Sequence, residues 1–206
     1  MKLMEVPIMN TDENIRNSIL VLYKTYESVS KLMEQCKTIA EENGYILSTD
    51  KFLRWKSDSY SDGWLLNSFI LLFQKVSDQE CESGNNWRNG PVYAIEIFLG
   101  SKVEPDALPQ LLVSKFEYAD MNEWSEGCSP ANHWVFYQPV HKEKADLFSA
   151  SSIKNISVII PNSEKISENY WGIKKVLTVS FSLTSITSDN LRSCVFDTFN
   201  RLSEVE

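Results

Sequence analysis

Apolar positions recur at alternating steps of four and three from Ile15 to Ala40: Ile15, Ile19, Leu22, Tyr26, Val29, Met33, Cys36 and Ala40. That spacing puts them on one face of an α-helix, and Leu20, Tyr23, Leu32 and Ile39 widen the stripe. Asn10 with Glu13, or Thr11 with Asn14, can cap the start, and Gly44 supplies the stop, so the pattern predicts a helix over 11–43. At 1.5 Å per residue such a helix is about 45 Å long, more than one small sheet covers. A core helix lying across a sheet accounts for part of the stripe. The average period, close to 3.5, also suits a helix–helix seam with a second chain, and a homodimer through helix 11–43, including its Ile15–Val29 half, is expected.

From residue 50 the pattern turns from helical to alternating. Tyr93, Ile95, Ile97 and Leu99 share one face of a strand over 92–99. Leu177, Val179, Phe181 and Leu183 alternate with Thr178, Ser180, Ser182 and Thr184, as a half-buried strand does. Residues 111–118, 134–137 and 156–160 read as further strands of aliphatic and aromatic residues. Residues 64–76 fit helix or strand, and strand is preferred because it forms a hairpin with the next segment. Ser188 opens a final helix with Leu191, Val195, Phe199 and Leu202 on one face. Short strands without helical crossovers imply antiparallel pairing. The expected fold is one α+β domain over 1–206. Its mostly antiparallel sheet has about five to seven strands, with a long N-terminal and a C-terminal helix packed on it.

Consecutive antiparallel strands at 64–76, 92–99, 110–118 and 133–139 would send loops 77–91 and 119–132 out of the same end of the sheet. Both are longer than a usual hairpin connection, as functional loops often are. The first holds Asp78, Glu80, Cys81, Glu82, Trp87 and Arg88; the second holds Asp120, Glu123, Trp124, Glu126 and Cys128, followed by His133.

Charge sharpens this picture. The 206 residues contain 20 Lys and Arg against 28 Asp and Glu, a net charge of −8. Such a surface repels phosphate, which argues against nucleic acid and anionic membranes as partners. The first loop carries three acids and one arginine and the second three acids, so five of the eight net negative charges lie there. Trp and Arg are preferred interface anchors. The expected function is therefore a non-enzymatic interaction module, of adaptor, inhibitor or immunity type. It would dock a basic protein surface through Trp87, Arg88, Asp120, Glu123, Trp124 and Glu126. The plainer reading folds both tryptophans back over the sheet end inside a solvated acidic rim.

Candidate chemistry is sparse. Cys81, Cys128 and His133, with His141, are the residue types of a zinc site, but they lack the paired short spacing such sites show. Cys128 and His133 could pair as nucleophile and base, although nothing identifies an oxyanion donor. Phosphate-cradling glycine loops, G-x-S-x-G and H-E-x-x-H are all missing. The alternative function is a metal-dependent hydrolase or nuclease using Asp58, Asp62, Glu96 and Lys115. A Glu96–Lys115 cross-strand ion pair explains two of those residues more simply. Trp55, Phe52, Tyr60 and Trp64 among Lys51, Arg54 and Lys56 resemble a single-strand stacking platform, and packing at an edge strand explains them as well. No cofactor is called for. With four scattered cysteines, no apolar stretch of spanning length and no leader pattern, a cytoplasmic protein with reduced thiols is expected.

Overall fold

The computed structural model describes residues 11–82, 87–101, 106–121, 124, 128–141 and 146–205. The chain divides into two compact units, 1–35 and 36–206. In the first, the described residues form the greater part of helix α1, Thr11–Ala40. Asp12 and Glu13 stand in its first turn, where the helix dipole favours acids. Thr25 and Ser28 donate their hydroxyls to the carbonyls four residues back, at 2.9 and 3.0 Å, so neither competes with the helix. Ile15, Ile19, Leu20, Val21 and Tyr23 are exposed. None of the described helices is long and apolar enough to cross a membrane.

The second unit begins with the last turn of α1 and is built on a sheet. Its strands are β1 (Tyr45–Leu47), β2 (Ser68–Lys75), β3 (Val92–Phe98), β4 (Gln110–Tyr118), β5 (Phe148–Ile153), β6 (Ile156–Pro161) and β7 (Ile173–Ser182). They run in the order β1-β2-β3-β4-β7-β6-β5, and every pairing is antiparallel. The fold is α+β. Helices α2 (His133–Tyr137), α3 (Glu164–Asn169) and α4 (Leu191–Ser203) complete it. Gly44 takes φ +79° and its N–H closes the turn onto the Glu41 carbonyl at 3.0 Å, which is how the chain leaves the helix for β1.

Both faces of the central strands are covered, so all seven residues of β3 are buried. On one face α4 packs on β4 and β7. Phe199 of α4 packs at a tilt against Tyr45, 5.2 Å between ring centres, and against Tyr93 at 5.0 Å. The two tyrosine hydroxyls reach polar atoms of the same helix, Asn200 Oδ1 at 2.9 Å and Ser203 Oγ at 2.8 Å. Burial therefore leaves neither hydroxyl unpaired. The opposite face carries Ile70, Leu72, Val92, Ala94, Phe116 and Val176 beneath Trp87, Trp124, Val135, Phe136 and Tyr170.

Two expectations are corrected. Residues 134–137 form helix α2 and not a strand. Ser129 and Asn132 make a capping box around Pro130, with the Ser129 N–H bonded to Asn132 Oδ1 at 2.8 Å, and this starts helical geometry just before His133. Glu96 and Lys115 make no ion pair, because the register sets Glu96 against Leu112 and Lys115 against Tyr93, on opposite faces of the sheet. Lys115 bonds Glu117 at 2.7 Å instead. Segment 64–76 does contain a strand, β2. The short β1, the polar β5 and α3 are additions that the apolar pattern did not reveal.

Candidate functional site

Loops 77–91 and 119–132 meet, as the strand directions require. Trp87 and Trp124 pack edge-on at 4.7 Å, and Trp124 also meets Tyr118 at 4.5 Å and Trp171 at 4.9 Å. The indoles are inside the molecule: Trp87 is 1% exposed and Trp124 6%. Arg88 is spent on its own loop. Its Nη1 donates to the carbonyls of Val76 and Asp78 at 3.1 and 2.7 Å, and its Nη2 to Glu80 at 3.1 Å. Buried Gln74 ties the loop to β2 by accepting from Arg88 N at 2.9 Å and donating to Arg88 O at 2.7 Å. What faces water at this end is acidic: Glu80, Glu82 and Asp120 are exposed. Glu123 and Glu126 lie outside the described residues. The plainer reading of the two tryptophans is the one this geometry matches.

The sulfur and nitrogen atoms singled out for metal are not gathered. Among the described residues, no group of three or more His, Cys, Asp and Glu side chains could hold a metal ion. Burial pushes the Cys128 thiol up to about 12 and raises that of Cys81, where Asp120 adds to the effect. Thiols held protonated are neither ready ligands nor nucleophiles. The Nε2 of His133 is engaged by Ser68.

That bond belongs to a polar cluster on the sheet face under α2. Ser68 Oγ lies 2.6 Å from Glu96 Oε1 and 2.7 Å from His133 Nε2. His141 Nε2 lies 3.0 and 3.1 Å from the two oxygens of Glu96. Ser68, Glu96 and His133 are all buried, and the two histidines of the cluster are the only ones in the chain. Tyr137 stacks with both imidazoles, at 4.9 Å to His133 and 3.9 Å to His141, and so spaces them. They address opposite ends of a Ser68–Glu96 pair and not a common ion. Nor is this a hydrolase triad, in which the acid orients the histidine. Here Glu96 bonds the serine directly.

A third feature lies on the segment before β2. Trp55, Tyr60, Trp64 and Leu65 are exposed, Trp64 by 73%. Edge-strand packing does not absorb them. The loop between them is pinned by Ser57, whose N–H reaches the Gly63 carbonyl at 3.2 Å and whose Oγ accepts from the Tyr60 N–H at 3.0 Å. A Cβ at Gly63 would stand 2.3 Å from Ser57 N, so glycine is required at the closure. Asp58 and Asp62 sit exposed in this loop, whereas Glu96 is buried.

No protein-family profile, curated protein or solved structure matches this chain. Sequence reasoning missed Ser68 and the convergence of both histidines on the Ser68–Glu96 pair. The signal was present in the spacing: His133, Tyr137 and His141 recur every four residues, which aligns rings on one side of a helical segment.

Proposed function

We propose that this chain is a protein-interaction module that pairs with a second copy of itself through α1 and turns an acidic surface toward a basic partner. The observation that carries the reading is the exposure of Ile15, Ile19, Leu20 and Tyr23 on one side of the helix within little more than two turns. Soluble chains seldom leave so continuous an apolar patch in water, and helices owe most of their stability to covering such a face. A second copy suits it because the seam repeats every 3.5 residues on average, the spacing at which like helices interlock. A two-fold axis covers the same patch on both chains with one kind of contact. Tyr26 and Cys36 at seam positions favour a short contact over a long zipper.

For the acidic partner surface, support comes from Glu80, Glu82 and Asp120, exposed at the sheet end in a chain of net charge −8. Charges so placed steer a basic partner and set the salt dependence of its association. Trp87 and Trp124 serve this surface as its foundation and not as its anchors.

Cysteine cross-linking tests the pairing. In an antiparallel dimer centred on Leu22, that residue faces its own copy, whereas the two copies of Ile15 stand about 20 Å apart. Mild oxidation should then link Leu22→Cys chains into a covalent dimer and leave Ile15→Cys at the level of the wild type, which has native cysteines of its own. Equal linking of both variants would mean a parallel pair. Linking of neither would remove α1 from the interface.

A further inference from the structure

Ser68 has one proton and two close partners. Ser68 donates that proton to Glu96 Oε1, so His133 must donate its Nε2–H to the serine oxygen. His141 donates its Nε2–H to the other side of the same carboxylate. The result is a directed hydrogen-bond chain, from His133 through Ser68 to Glu96, closed from the far side by His141. It ties the start of α2, and the turn after it, to β2 and β3.

We infer that this chain is an acid-sensitive clasp, which holds the first turn of α2 on the sheet while His133 is neutral and lets that turn open when His133 gains a second proton. Among the described residues, the titratable groups facing His133 are Glu96 from β3 and, on its own segment, Tyr137 and His141. Burial disfavours a charge on the ring most strongly; Glu96 favours one, His141 opposes it, and the balance lowers the pKa to about 4. Glu96 cannot serve His133 further without giving up Ser68 or His141. A cation there gains most by swinging into water. The element that must give way is the first turn of a five-residue helix, which is inexpensive to fray. Val135 and Phe136 are buried behind it and hold the rest of the segment, so the opening is local.

Because the chain has two histidines, nitrogen-detected NMR of the full-length protein resolves both imidazoles, and amide exchange reads the clasp. At neutral pH His133 is expected as the Nε2–H tautomer. As pH falls from 6 to 4.5, amides 131–134 should lose about tenfold in protection after correction for intrinsic exchange, and at each pH they should open at far lower cost than β2, β3 and β4. His133→Gln keeps a side-chain N–H donor but takes no proton, and its 131–134 protection should not change with pH. Protection of 131–134 equal to that of the strands would overturn the clasp, as would the same loss in His133→Gln. If His133→Gln does not fold, Ser68→Ala replaces it: 131–134 should then be less protected than in wild type already at pH 7, and unaltered protection would contradict the role of Ser68.

Discussion

Trp124→Ala is expected to destabilise the sheet unit by about 3–5 kcal/mol, the usual cost of removing a large buried aromatic side chain. For a domain of this size that lowers the melting temperature by roughly 10 °C or more. The cause is local and specific. The indole fills the space between Trp87, Tyr118 and Trp171, and its Nε1–H reaches the Trp171 carbonyl at 3.3 Å. A tryptophan standing in solvent as a docking anchor would cost well under 1 kcal/mol on removal. Denaturant melts of wild type and Trp124→Ala separate the two cases. They also warn against interpreting any loss of partner binding in that variant before its folding is checked.

Acidification is expected to produce the second large effect. Burial holds the His133 pKa near 4 in the folded chain, against about 6.5 for the unfolded one. Below pH 6.5 the unfolded state therefore binds the extra proton, and the stability that neutral His133 secures is lost as pH falls from there toward 4. The full difference is on the order of 3 kcal/mol, present above the unfolded value and gone below the folded one. Chemical denaturation at pH 7 and pH 4.5 measures it. In His133→Gln the same interval should show a distinctly smaller drop, since the carboxylates that also titrate there are common to both proteins. An equal drop in the two proteins would mean that His133 contributes nothing to acid sensitivity.

The architecture was readable where one periodicity dominated. The four–three spacing from Ile15 gave α1, the alternation in 177–183 gave the core of β7, and strand directions alone put loops 77–91 and 119–132 at one end, where Trp87 meets Trp124. Reading failed where short-range chemistry overrode the apolar pattern. Trp134 to Tyr137 looks like a strand until the Ser129–Asn132 capping box is given its weight. β5 has little but serine facing outward, so no apolar alternation marks it. The site was harder still. Glu96 looked like half of an ion pair because only the strand register tells which face of β3 it occupies. Ser68, a common residue at the start of a strand, carries no signal until two histidines and a carboxylate are folded onto it. Trp55, Tyr60 and Trp64 were noticed as aromatics, but composition cannot tell a pinned, exposed loop from a packed edge.

Sedimentation of the wild type at micromolar concentration, beside Leu22→Glu, tests the central proposal most directly. The wild type is expected at twice its chain mass of 23.7 kDa, and the folded variant at the mass of a single chain. A wild type that sediments as one chain, or a folded Leu22→Glu that remains dimeric, would contradict it.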